Sequence, residues 1–153
     1  MTVEKRDTIL LSLGETQSRV QITGADGTSQ TFSLALGLDA LTPGPFRRDP
    51  PSALELEQAI MVVEDVLMPL AARIPPHPVL HLHSPVPLAE PLGSRVQSRE
   101  NIERLFGQLV AMVEGDPLAS AQLPKDRRFA AALLILREWM HHLDAGSVVL
   151  VDG

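Results

Sequence analysis

Five histidines and a scatter of carboxylates are the side chains of this sequence best suited to chemistry. His81 and His83 stand two apart in the pentapeptide Val79-Leu-His-Leu-His83. An extended backbone turns residues i and i+2 to one face, so both imidazoles can reach a single metal ion. His141, His142 and Asp144, near the C-terminus, could add a third and fourth ligand if the fold brings them close. Such a site would hold zinc or another divalent metal through neutral imidazoles and lower the pKa of a bound water for hydrolysis. A structural reading stands beside it: two His on the wet face of an edge strand, and two more in the last turn of a helix, where the dipole favours cations. His77 lies nearby in the sequence.

Other charged groups offer second choices. Glu55, Glu57, Glu64 and Asp65 occupy one helical stretch, with Glu57 and Glu64 two turns apart near one face. Paired carboxylates can bind a divalent cation or act as acid and base. They are more simply the solvated side of a helix whose other side is apolar. Arg47-Arg48, next to Phe46 in a proline-rich loop, could clamp a phosphate or carboxylate, or balance local charge. Arg127-Arg128 opens a later helix at the end where the dipole disfavours cations, which suits an anion or partner contact.

The standard nucleophile and nucleotide motifs are absent: there is no G-x-S-x-G, no G-x-x-x-x-G-K-[ST] and no G-x-G-x-x-G. The turn Ser12-Leu-Gly-Glu-Thr-Gln-Ser18, between two strand-like stretches, resembles the first phosphate hairpin of the actin-like and sugar-kinase ATPases, which reads roughly D-x-G-T-x-S. The family's acidic residue falls on Ser12, so the resemblance implies loss of its role in holding a metal-bound water. A chain of 153 residues is short for that family's two-domain clamp, and the likeness is read as a shared strand–turn–strand shape.

The elements that must position these groups follow from patterning. Ile9, Leu11 and Leu13, then Val20 and Ile22, then Phe32, Leu34 and Leu36 alternate with polar neighbours, which predicts a three-stranded antiparallel meander with one covered face. Gly24-Ala-Asp-Gly27 is its second turn. Residues 37–51 carry four prolines and read as loop. Ser52 and Glu55 form a capping box for a helix with Leu56, Ile60, Val63, Leu67 and Leu70 on one stripe, widened by Met61, Val62, Val66 and Met68. Pro69 should end or kink it.

Pro75 to Pro91 reads as extended chain, with 79–83 as an edge strand among the prolines. Ser98 caps a second helix bearing Ile102, Leu105, Phe106, Leu109, Val110 and Val113. Asp126 caps a third, with Phe129, Leu133, Leu136, Met140 and Leu143 on its main stripe and Gly146 ending it. Residues 147–151 form a short apolar strand that needs a sheet in this chain or in a second copy.

Composition narrows the classes. The formal charge is −6 and no Lys/Arg cluster exceeds a pair, so no nucleic-acid footprint is present. No apolar run is long enough to span a membrane, the N-terminus lacks a signal-peptide pattern, and no Cys is available for disulfides or thiolate chemistry. Two Lys against eleven Arg suggests a GC-rich bacterial source. The expectation is a single cytoplasmic α+β domain over residues 1–153. It has a three-stranded N-terminal meander, three helices and short strands near 79–83 and 147–151, with a layered α/β sandwich as the rival. The wide apolar helix faces lead the functional expectation to a non-catalytic protein-binding adaptor or assembly domain without cofactor, partnered by another protein and homodimeric. A metal-dependent hydrolase and a small-anion binder are the alternatives.

Overall fold

The computed structural model describes residues 7–40, 46–74, 77–121 and 123–151. The first six residues, Pro43 and Pro45 of the expected loop, and Pro75 of the proline-rich segment lie outside them. The architecture is mixed α+β, with antiparallel strands leading and helices following.

The meander forms as the alternation requires. β1 (Thr8–Ser12) pairs antiparallel with β2 (Ser18–Thr23), and β2 with β3 (Ser29–Leu34). Gly27 adopts φ +90°, and Asp26 Oδ1 accepts hydrogen bonds from the Thr28 hydroxyl and amide, which hold its carboxyl below the usual range. α1 (Ala53–Ala71) starts at the expected capping box: Glu55 N donates to Ser52 Oγ at 3.2 Å and Ser52 N to Glu55 Oε1 at 3.1 Å. Pro69 lies within the last turn of α1, and the helix runs two residues beyond it.

The proline-rich segment departs from expectation. Val79–His83 is β4, a central strand and not an edge: β1 and β6 (Ser147–Val151) lie on either side, both parallel to it. The reason is local. The prolines stop at Pro78 and resume at Pro85, so the pentapeptide keeps every amide for the ladder. After it come a short helix α2 (Ala89–Leu92), an unforeseen three-residue strand β5 (Val96–Ser98), and α3 (Arg99–Val113) capped by Ser98. α4 (Pro117–Ser120) and α5 (Arg127–Leu143) follow, the latter capped by Asp126. α5 ends with Asp144 in the left-handed region at φ +52°, ahead of Gly146. β6 joins the sheet of its own chain, giving the order β3-β2-β1-β4-β6-β5.

Register sorts the sheet into two faces. Val20, Leu11, Leu82 and Leu150 form one cross-strand row, and Ile22, Ile9, Leu80 and Val148 the next. Apart from the half-buried Ile22 these residues are buried, in one core with α1, α3 and α5. The opposite face carries Gln21, Leu10, His81 and Val149, then Arg19, Ser12, His83 and Val151, all partly or wholly exposed. α5 is buried nearly all round, with twelve of its 17 residues inside, including Ala130 to Leu136 without a break. The wide apolar faces of the sequence therefore serve mostly the interior. On α1, however, Met61 and Met68 are exposed, where the sequence suggested cover on that side too.

Ser52→Ala should cost about 1 kcal/mol of stability, seen as a lower urea midpoint at unchanged m-value. Burial pushes the Glu55 carboxyl up, but amide hydrogen bonds from Arg47 and Ser52 outweigh it and hold it below its ordinary 4.5. That contribution is complete above the ordinary value and is lost as pH falls through the lower folded one. The stability gap between wild type and Glu55→Gln should therefore be widest near neutrality and close on acidification.

Candidate functional site

β1 and β4 run parallel, so their C-terminal ends meet, with Ser12 and His83 as register partners. Leu13 N donates to His83 O at 2.9 Å, and the chain then turns through Gly14–Gln17 into β2. Gly14 is required here: a Cβ would stand 2.1 Å from the Gln17 carbonyl oxygen. The segment after β3 presses on the turn. Leu38 N donates to Gly14 O at 2.9 Å and Asp39 N to Glu15 O at 2.7 Å, while the buried Ser18 hydroxyl donates to Leu36 O at 2.8 Å. This contact also needs Gly37, whose Cβ would fall 2.5 Å from Glu15 O.

The Gly14 and Glu15 carbonyls are thus occupied, and Gly14 N donates to Ser18 Oγ at 3.4 Å. Among the described residues the amides of Glu15, Thr16 and Gln17 donate to no protein acceptor. Successive free amides on a tight turn form a concave site for an anion. The turn borders an open cleft of about 310 Å³ lined by Ser12, Gly14, Gln17, Ser18, Arg19 and Ser33. Arg19 gives it a cation. On the other side of the turn Arg128 holds Asp39 with two hydrogen bonds, 2.6 and 3.2 Å, and approaches Glu15 at 3.5 Å. The Arg128 hydrogen bond keeps the Asp39 carboxyl below its usual range, and Asp39 in turn raises Arg128. Arg128 is thereby spent on offsetting the two carboxylates nearest the turn.

The histidine set is divided. His81 sits between Leu10 and Val149 and His83 between Ser12 and Val151, both on the open face of the sheet. Asp144 lies before β6, beside the opposite end of β4, where Arg99 pairs with it at 2.5 Å and His77 approaches at 3.4 Å. His141 Nδ1 is 3.3 Å from Arg99. His142 turns elsewhere: with Glu64 of α1 and Glu138 of α5 it forms a group whose ligand atoms all lie within 4.8 Å of one another. Glu138 was missed because a lone Glu inside an apolar helix reads as a solvated position; its i, i+4 spacing to His142 was the available signal. Arg47 and Arg48 are exposed; Glu55 accepts from the Arg47 backbone amide at 2.7 Å and feels the charge of Arg48.

No family model matches the sequence, and no curated protein matches it. Solved structures do. The Ppx/GppA phosphatase of Aquifex aeolicus, type II variant, is 14% identical with a TM-score of 0.70, over 97% of this chain and 54% of that one. An exopolyphosphatase from Cytophaga hutchinsonii is 16% identical with a TM-score of 0.64, over 97% and 54%. The chain spans about half the length of the structures it matches. At this identity the likeness is one of fold.

It corrects the functional expectation. The non-catalytic, protein-binding adaptor is overturned, because the chain takes a fold shared with these phosphatases. The apolar excess that suggested a partner is largely the buried α5. The expectation of no cofactor is corrected by the Glu64, Glu138 and His142 group, which packing assembles from separate helices. No helix among the described residues is long and apolar enough to cross a membrane.

Gly14→Ala should destabilise the chain by about 1–3 kcal/mol in denaturant unfolding, because the clash is with backbone and cannot be relieved by a rotamer.

Proposed function

We propose that this chain is a phosphate-binding part of a cytoplasmic phosphohydrolase, acting on phosphoanhydride or phosphoester substrates, with inorganic polyphosphate as the favoured class. The observation that carries this reading is the turn after β1, where the unclaimed amides of Glu15–Gln17 adjoin a cleft lined by Ser12, Gln17 and Arg19. Support comes from the fold, since the likeness to a Ppx/GppA phosphatase and an exopolyphosphatase covers nearly the whole chain.

The chemistry divides as follows. The amides donate hydrogen bonds to phosphate oxygens, and Arg19 supplies a charge-assisted contact. Ser12 stands where the ATPase-type hairpin has an acid, so this position contributes a hydroxyl and no carboxylate. His83, beside Ser12 on the neighbouring strand and on the same face, can take a proton from an attacking water. Hydrolysis then moves a phosphoryl group to water and releases orthophosphate. Groups facing the hairpin from outside this half-length chain would complete the site.

Calorimetric titration with tripolyphosphate tests it, alongside melting curves in the same ligand. Binding should raise Tm with concentration by mass action. Arg19→Ala should weaken affinity about tenfold, the loss of one charge-assisted contact. An unchanged Tm at millimolar tripolyphosphate, or equal affinity for wild type and Arg19→Ala, would refute the assignment.

A further inference from the structure

Glu138 lies in the middle of an apolar helix, wholly buried at 0% exposure. One of its oxygens is committed: Oε1 accepts from Arg137 at 2.7 Å, and Arg137 also reaches Glu103 at 3.2 Å. The other, Oε2, lies 3.3 Å from His142 Nε2, and among the described residues neither atom has a hydrogen-bond partner. A buried carboxylate oxygen left without a partner costs several kcal/mol, so its retention calls for a counterpart. Glu64 Oε1, from the facing turn of α1, stands 3.9 Å from the same nitrogen.

We propose that Glu64, Glu138 and His142 bind a divalent ion of the zinc type. Ligands about 2.0–2.2 Å from a tetrahedral zinc lie roughly 3.3–3.6 Å from one another. The Glu138–His142 separation of 3.3 Å already meets this, and the 3.9 Å from His142 to Glu64 needs a shift of a few tenths of an ångström. One imidazole and two carboxylates suit zinc and neighbouring first-row ions better than calcium or magnesium, which prefer all-oxygen shells. The Arg137 contact orients the Glu138 carboxylate from behind, as outer partners of metal ligands do. Glu64, 41% exposed, forms the solvent side of the group, while Glu138 Oε2 and His142 Nε2 are themselves buried. The ion would tie α1 to the last turns of α5. The site draws no residue from the β1–β2 turn and stands independently of the phosphate reading.

The competing arrangement is a protonated His142 clasped between the two carboxylates, and metal analysis separates them. Tag-free protein dialysed against zinc and then against metal-free buffer should retain close to one zinc per chain by mass spectrometry. Cobalt in its place should give the visible absorption of a four-coordinate site. Glu64→Gln, at a half-exposed helix position, should keep the fold and weaken zinc affinity at least about tenfold. His142→Ala should abolish stoichiometric binding, and His77→Ala should leave it intact. Wild-type protein without bound zinc would overturn the proposal. Full zinc retention by both Glu64→Gln and His142→Ala, or its loss with His77→Ala, would overturn it by moving the ion elsewhere.

Discussion

The structure depends on burying α5 from every side. A helix with a single apolar stripe can rest on a sheet and face water; α5 has Ala130 to Leu136 buried in unbroken succession, with Trp139 and Met140 beyond. It packs against both α1 and α3, and shares its core with Ile9, Leu11, Leu80 and Leu82 of the sheet. The three consecutive alanines, Ala130 to Ala132, allow close approach where bulky side chains would hold the layers apart. A helix buried over most of its surface, with polar groups only at its ends and at Arg137 and Glu138, is stable in the interior, so the sheet and the flanking helices assemble around it.

That placement generates both candidate sites. The N-terminus of α5 brings Arg128 to Asp39 and Glu15, which ties the segment after β3 to the turn. Its last turns bring Glu138 and His142 to Glu64 of α1. One helix thus connects the proposed anion-binding turn near its N-terminus with the proposed ligand group near its C-terminus. Both use polar atoms that the surrounding packing holds but does not satisfy.

Much of this was legible. The meander followed from strict alternation, the starts of α1, α3 and α5 from Ser52, Ser98 and Asp126, and β6 from its apolar run. The strand-flanked turn at Gly14 was visible through its spacing, although the amides that make it useful depend on Leu38 and Asp39 closing over its carbonyls. β4 was placed at an edge because prolines crowd around it; the ladder needs only the five amides between them. The two-residue spacing of His81 and His83 did put them on one face, but that face is the open side of the sheet, while His141, His142 and Asp144 belong to the far end of α5.

By itself the sequence determined local form: where strands alternate, where helices are capped, and which turn needs glycine. These are set by interactions within a few residues, and the side chains that make them are adjacent in the chain. Tertiary structure alone decided strand order, which apolar faces are interior, and which polar groups meet. Glu64 and Glu138 become neighbours only because α1 packs on α5, and Arg128 reaches Asp39 only because α5 begins beside the segment that follows β3. Contacts between residues far apart in sequence depend on how layers stack, and no periodicity within a single element encodes that.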